Sequence, residues 1–116
     1  METDKSLRWL HGEVKSPPFT AAARLEAGWL LRRLQQGELL SLPQSRPLPG
    51  IGAGCHELRA RDKDKNWRLI YRIDDDRILI VEVFNKTTPQ IPDEIINICR
   101  RRLKEYDQAK QAQKGR

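Results

Sequence analysis

The sequence predicts an α+β fold in which two helices cover one face of an antiparallel sheet. Three stretches with strand-like patterns follow one another with short polar turns between them: 55–61, 67–73 and 78–84. One helical pattern precedes them at 19–36 and a second begins at about Asp93, each with a single apolar stripe. Because a helix must bury its apolar stripe against another element, both helices are expected to pack on the sheet.

Length and composition agree with a single domain. The chain has 116 residues, of which 33% are charged and 38% hydrophobic, as is typical of a compact globular protein. We expect the domain core to span about 8–107 and the polar segment 108–116 to fray. No apolar run could cross a bilayer, the N-terminus lacks a signal-peptide pattern and the two cysteines form no motif, so a cytoplasmic protein is expected.

The net charge of +6 suggests a polyanionic partner. Seven Lys/Arg and two Asp/Glu lie from Arg100 to the end, so most of the excess belongs to the last helix. A nucleic-acid site in the body of the protein must therefore be sought in how the sheet arranges its arginines.

The elements before the sheet are predicted in turn. Residues 8–15 are expected to form an opening strand, and the helix at 19–36 is expected to end at Gly37, which tolerates the left-handed conformation. Its apolar stripe consists of Leu25, Trp29, Leu30 and Leu34. Residues 43–54 contain three prolines and three glycines and are expected to form an ordered loop.

Strand alternation separates a core face from an arginine-bearing face. The core face carries Leu58, Ala60, Leu69, Tyr71 and Ile73, and the other face carries Glu57, Arg59, Arg61, Arg68 and Arg72. We expect the first face to lie under the helices and the second to remain partly open.

The acidic turn 74–76 decides which way the last strand faces. A three-residue turn pairs Ile73 with Arg77 and places Glu82 and Lys86 on the face of Arg68. A two-residue turn would send Glu82 into the core, where an unpaired carboxylate is costly, so the longer turn is favoured. Leu79, Val81 and Val83 are then expected in the core.

The arginine-bearing face has two interpretations. Guanidinium groups match phosphate oxygens, so the face could bind single-stranded RNA. Exposed sheets also carry arginine–glutamate pairs across neighbouring strands, and composition alone favours this second interpretation.

Several motifs, in their order and spacing, resemble the phage-derived, HigB-like branch of the RelE toxin superfamily. The most specific are SRPLPGIG, HELR, WRLIYR and FNKTTP, and the resemblance covers about Trp9 to Tyr106. It implies the compact α/β toxin fold and endonucleolytic cleavage of mRNA, in many members on the ribosome, with no metal or other cofactor. It also implies a HigA-like antitoxin partner with a helix-turn-helix domain.

The resemblance implies roles for individual residues. Arg68, in WR-x-x-Y, matches the family's phosphate-stabilising arginine, and Arg59 matches a basic residue that contacts the RNA backbone. Lys86 lies near the family's strand-end base, which steadies or protonates the leaving group. Glu57 could be a general base, as in other toxins of the superfamily, or could pair with Arg59 or Arg68. Further RNA contacts are expected from Arg61, Arg72 and Arg46.

The chain departs from the family after its last strand. The best-known members carry a tyrosine or histidine there that stacks the cleaved base, whereas Thr87-Thr88-Pro89 follows Lys86 here. Tyr71, Tyr106 and His56 are expected to pack in the core instead.

Two other functions remain open from the sequence. A ParE-like toxin of the same fold would act on DNA gyrase, although the basic set of Arg59, Arg68 and Lys86 argues against that branch. A non-enzymatic module that binds RNA or protein would use the sheet arginines only structurally.

Overall fold

The computed structural model of the chain describes residues 4–10, 19–63 and 65–114. Its elements are β1 (Ser6–Trp9), α1 (Ala21–Gln35), β2 (Ser45–Pro47), β3 (Cys55–Asp62), β4 (Lys65–Ile73), β5 (Arg77–Asn85) and α2 (Asp93–Lys114). One sheet has the strand order β1-β5-β4-β3-β2, in which β1 runs parallel to β5 and the other neighbours are antiparallel. The α+β class and the predicted meander of β3, β4 and β5 are confirmed.

Three element boundaries differ from the sequence-based expectation. β1 begins at Ser6, and residues 11–15 of the predicted opening strand lie outside the described residues. β2 is a three-residue strand within the predicted loop 43–54. α2 is helical as far as Lys114, so most of the segment expected to fray is helical. Neither described helix is long and apolar enough to span a membrane.

The two helices pack on opposite faces of the sheet, whereas the sequence predicted both on one face. Leu69 and Tyr71 lie in the core beneath α1, and Ile70 between them lies in a second core beneath α2. The physical reason is that β5 is apolar on both sides and β4 adds Ile70 to the second side, so each side requires a cover. α2 therefore lies on the arginine-bearing face.

α1 is rotated relative to the prediction. Leu25 and Trp29, expected in its apolar stripe, are 75% and 63% exposed. Ala23 and Ala27 are buried against the sheet instead. Small side chains let a helix approach a sheet closely, so the buried face includes positions that large apolar residues do not mark. The helix end is as predicted, with Gly37 at a φ of +92°.

The turn between β4 and β5 is one residue longer than predicted. Ile73 pairs with Ile78, so the first half of β5 faces the opposite way from the expectation. Leu79 and Val81 lie beneath α2, and Val83 lies beneath α1 as predicted. All three are buried, because both faces of β5 are covered.

A β-bulge restores the predicted faces at the far end of β5. Ile70 pairs with Glu82, whereas the next residue, Tyr71, pairs with Ile80, so β5 has one extra residue at this point. Glu82 therefore lies on the face of α2, where its Oε2 is 3.3 Å from Nη1 of Arg102. The Glu82 carboxylate is buried but paired. It therefore avoids the cost of an unpaired buried charge, which was the reason for favouring a three-residue turn over a two-residue turn.

Asp62, at the end of β3, fixes the start of α1. Its carboxylate accepts hydrogen bonds from the backbone N and Oγ1 of Thr20, at 3.0 and 2.6 Å, and from Nε1 of Trp67 at 3.3 Å. Thr20 Oγ1 in turn accepts a hydrogen bond from Ala23 N and caps the helix. The hydrogen bonds from Thr20 hold the pKa of Asp62 below its ordinary value.

We expect Asp62→Asn to destabilise the protein at neutral pH, with an effect that fades in acid. Because the pKa of Asp62 is lowered by folding, its stabilisation is present above the unfolded-state pKa and is lost as the pH falls through the folded-state pKa. Urea unfolding of both proteins from neutral to acidic pH measures the difference. A difference in unfolding free energy that does not shrink in acid would contradict this role.

Candidate functional site

β3 and β4 carry several predicted site residues on one face. In their antiparallel register Arg59 lies opposite Arg68, and Glu57 lies opposite Ile70. Since alternate residues of a strand share a face, Glu57, Arg59 and Arg68 project to the same side, as predicted. α2 covers this face only in part, at the end where Arg72 contacts it.

Four basic side chains surround the carboxylate of Glu57, and we call this group of five the basic cluster. The Nε atoms of Arg46, Arg59 and Arg68 lie 3.2, 3.4 and 3.5 Å from Glu57 Oε1, and Lys86 Nζ lies 3.7 Å from Oε2. The Glu57 side chain is fully buried, whereas those of Arg46 and Arg59 are 37% and 32% exposed. The cluster thus presents excess positive charge to solvent above a buried carboxylate.

The cluster is assembled by the register of the sheet. Arg46 comes from β2, where it lies directly opposite Glu57 of β3. Lys86 follows the last residue of β5, and its backbone N donates a hydrogen bond to the carbonyl oxygen of Asn66 at 2.9 Å. Three strands and the exit of a fourth therefore hold the four cations in place.

Burial lowers the pKa of the Arg68 guanidinium and of the Lys86 ammonium, because desolvation disfavours their charged forms. The negative charge of Glu57 opposes the shift at both residues. Two buried atoms of the cluster, Glu57 Oε2 and Arg68 Nε, make no hydrogen bond. Four cations around one carboxylate, with the Arg68 Nε donor still short of a partner, form a site suited to an anion.

Arg61 and Arg72, also expected to bind RNA, differ in their surroundings. The Arg61 side chain is exposed, and it makes no ion pair or hydrogen bond in the described part of the chain. Arg72 donates hydrogen bonds of 2.8 Å to Asp74 and to Asp107 of α2, and these raise its pKa. Arg72 therefore links α2 to the sheet, and its guanidinium is occupied by the carboxylates of Asp74 and Asp107.

Tyr71 lies in the core as predicted, whereas His56 and Tyr106 are half-buried. Tyr71 is fully buried beneath α1, and its hydroxyl lies 2.7 Å from Ser45 Oγ. The ring of His56 stacks on that of Tyr71 with centroids 5.3 Å apart. Tyr106 packs against the core beneath α2. These contacts give all three rings a structural role.

We expect Tyr71→Phe to lower the free energy of unfolding by about 1–3 kcal/mol and to leave the activity of the folded protein unchanged, because it deprives the buried Ser45 hydroxyl of its partner. Urea unfolding measures the loss. Tyr106→Phe is the matched control, since no described residue forms a hydrogen bond with its hydroxyl. Loss of activity with unchanged stability would instead place Tyr71 in the functional site.

The central place of Arg46 was not apparent from the sequence. It was expected only as a loop residue that could reach RNA, because alternation over three residues is too short to predict a strand. The pairing of β2 with β3 brings it against Glu57 and adds a fourth cation to the cluster.

Comparison with known proteins identifies the family of the chain. A family model described as "Phage derived protein Gp49-like (DUF891)" matches residues 18–104, about three quarters of the chain. The matched region contains the whole basic cluster. No curated protein and no solved structure matches the chain.

Proposed function

The chain belongs to the phage-derived Gp49-like family, and on that basis we propose that it is the toxin of a type II toxin–antitoxin pair. We assign it to the HigB-like branch of the RelE superfamily, as a metal-independent endoribonuclease that cleaves mRNA on the ribosome in the cytoplasm. The observation that carries this proposal is the basic cluster, in which four cations converge on an uncovered part of the sheet.

The proposed reaction is a transesterification followed by strand release. The ribose 2′-hydroxyl transfers its proton to a solvent water as O2′ attacks the adjacent phosphorus and forms a bond with it. The bond between phosphorus and O5′ breaks, and O5′ receives a proton, which leaves a 2′,3′-cyclic phosphate and a free 5′-hydroxyl. Catalysis requires stabilisation of the extra negative charge on the phosphorane and a proton donor for O5′.

The basic cluster supplies groups for both requirements. Arg68 and Arg59 bind the phosphorane oxygens, and Arg46 adds charge beside them. Lys86 protonates the leaving oxygen, and the lowering of its pKa by burial favours proton transfer near neutral pH. Each residue thereby retains the role that the family resemblance implies for it.

Glu57 has two candidate roles in this mechanism. A general base must come within hydrogen-bonding reach of the 2′-hydroxyl. The Glu57 side chain is fully buried among four cations, which supports a positioning role in which it holds Arg59 and Arg68 in place. We therefore assign Glu57 to the positioning of the cations rather than to proton abstraction.

The proposed partner is an antitoxin with a helix-turn-helix domain, which neutralises the toxin and represses the operon. Family membership supports this proposal. A short reading frame with a helix-turn-helix pattern beside the toxin gene is the expected observation. Co-expression of its product is expected to abolish growth arrest and to allow purification of the two chains together.

Brief induction of the toxin, followed by primer extension on cellular mRNA, tests the proposed activity. Discrete cuts within translated codons are expected, and blocking translation is expected to remove them. Gyrase-linked double-strand breaks without mRNA cuts would replace the proposal with a ParE-like activity. If neither mRNA cuts nor DNA breaks were found, the remaining interpretation would be a non-enzymatic binding module.

A further inference from the structure

A cavity of about 390 Å³ adjoins the basic cluster and shares Arg59 and Arg68 with it. Its other walls come from α1, from the segment before β2 and from the β3–β4 hairpin. A cavity of this size lies within the range of pockets that hold small ligands. Any molecule whose phosphate rests on the basic cluster therefore has a neighbouring space for the group that the phosphate carries.

Four polar side chains line this cavity without being used by the fold. They are Glu26, Gln44, Arg61 and Asn66. None of these side chains makes a hydrogen bond or ion pair with another residue in the described ranges. The cavity thus offers a carboxylate, two amides and a guanidinium, which together accept and donate hydrogen bonds.

The cavity runs around an edge of the sheet. Glu26 belongs to α1, which packs on one face, whereas Arg59 and Arg68 project from the other. β2 pairs only with the first half of β3, so it does not block this edge beside Arg61. A nucleotide can therefore place its phosphate on the basic cluster and its base towards Glu26.

The chemistry of the lining suits a nucleobase. Proteins recognise unpaired RNA bases by hydrogen bonds to their Watson–Crick edges and by stacking on arginine planes. Arg61 provides such a plane, and Gln44 and Asn66 carry amides that pair with base edges. The Glu26 carboxylate is an acceptor only, so it selects a base that presents donors.

Guanine is the base that best matches a carboxylate. Its Watson–Crick edge carries two adjacent donors, N1–H and N2–H, which can bind the two oxygens of Glu26. Uracil has carbonyl oxygens on both sides of its N3–H, and these would repel a carboxylate. We infer that this cavity holds a guanine base of the RNA substrate, with Glu26 reading its edge, an inference that rests on the proposed function.

Nucleotide titrations followed by NMR test the base pocket separately from RNA cleavage. The probes are guanosine 3′-monophosphate, uridine 3′-monophosphate and inorganic phosphate, added to the purified full chain. We expect the guanosine nucleotide to bind at least about fivefold more tightly than the other two, as bidentate contacts to a base edge typically allow. The side-chain amide signals of Gln44 and Asn66 are expected to shift with this nucleotide and not with phosphate.

Glu26→Gln is expected to abolish the preference for guanosine over uridine while phosphate binding persists. Glu94→Gln is the matched control, because it removes an equal charge from an exposed position on α2, away from the cavity. Equal affinity for all three probes, or a guanosine preference that survives Glu26→Gln, would overturn the inference. Mapping of mRNA cuts decides the nuclease proposal on its own, so the two can fail independently.

Discussion

Replacing Arg68 with alanine is expected to abolish growth arrest and mRNA cleavage while the protein remains folded. Arg68 is the most enclosed arginine of the basic cluster, with its side chain 14% exposed, and it is the arginine of the WR-x-x-Y motif. The loss of one positioned donor to a developing charge typically lowers the rate roughly a hundredfold or more, which corresponds to about 2.7 kcal/mol of transition-state stabilisation. Glu57 keeps three other cationic partners, so the fold is expected to survive.

Growth after induction and primer extension on mRNA measure this effect, and circular dichroism with urea unfolding establishes that the variant is folded. Arg101→Ala is the matched control, because it removes the same charge from a side chain on α2 that is 66% exposed. Arg68→Lys is expected to fall between the two, since lysine keeps the charge but lacks the planar fork. If Arg68→Ala were as toxic as the wild type at equal expression, Arg68 would not be part of the functional site.

Replacing Glu57 with glutamine is expected to lower the free energy of unfolding by about 3 kcal/mol. The fully buried carboxylate is the counter-charge for four cations, of which Arg68 and Lys86 have side chains only 14% and 9% exposed. Glutamine keeps the size of the side chain and removes the charge, so the cations repel one another without compensation. This loss of unfolding free energy lies at the lower end of the range measured when one partner of a buried ion pair is removed, because Arg46 and Arg59 still reach solvent.

Urea unfolding at neutral pH measures the loss, and Glu105→Gln is the control. The ion pair of Glu105 with Arg101 is highly exposed at 4.0 Å, so its loss is expected to change stability by no more than about 0.5 kcal/mol. Added phosphate is expected to restore part of the stability of Glu57→Gln, because the anion can take the place of the carboxylate. A destabilisation no larger than that of the control would mean that Glu57 does not hold the cluster together.

Part of the site could be predicted because it depends on local alternation. β3 and β4 are regular strands joined by a tight turn, so the common face of Glu57, Arg59 and Arg68 follows from their spacing alone. β5 was harder, because a longer turn and a bulge each shift the register by one residue, and no residue type marks either irregularity.

The remaining features depend on contacts between distant parts of the chain. Arg72 shares the alternation of Arg68, but Asp107 of α2 binds it from 35 positions further along the chain. The face on which α2 packs could not be predicted either, because β5 is apolar on both sides and can accept a helix on either. Local patterns identify the face of a residue, and only tertiary packing decides which part of that face is covered.

The ratio of four cations to one carboxylate in the basic cluster has a consequence for the whole molecule. An anion that settles on the cluster relieves repulsion among side chains from β2, β3, β4 and the segment after β5, and so reinforces the sheet itself. By mass action, a ligand at a hundred times its dissociation constant adds about 2.7 kcal/mol to stability. We therefore expect the protein to resist heat and proteases better with an anion bound at the basic cluster than without one.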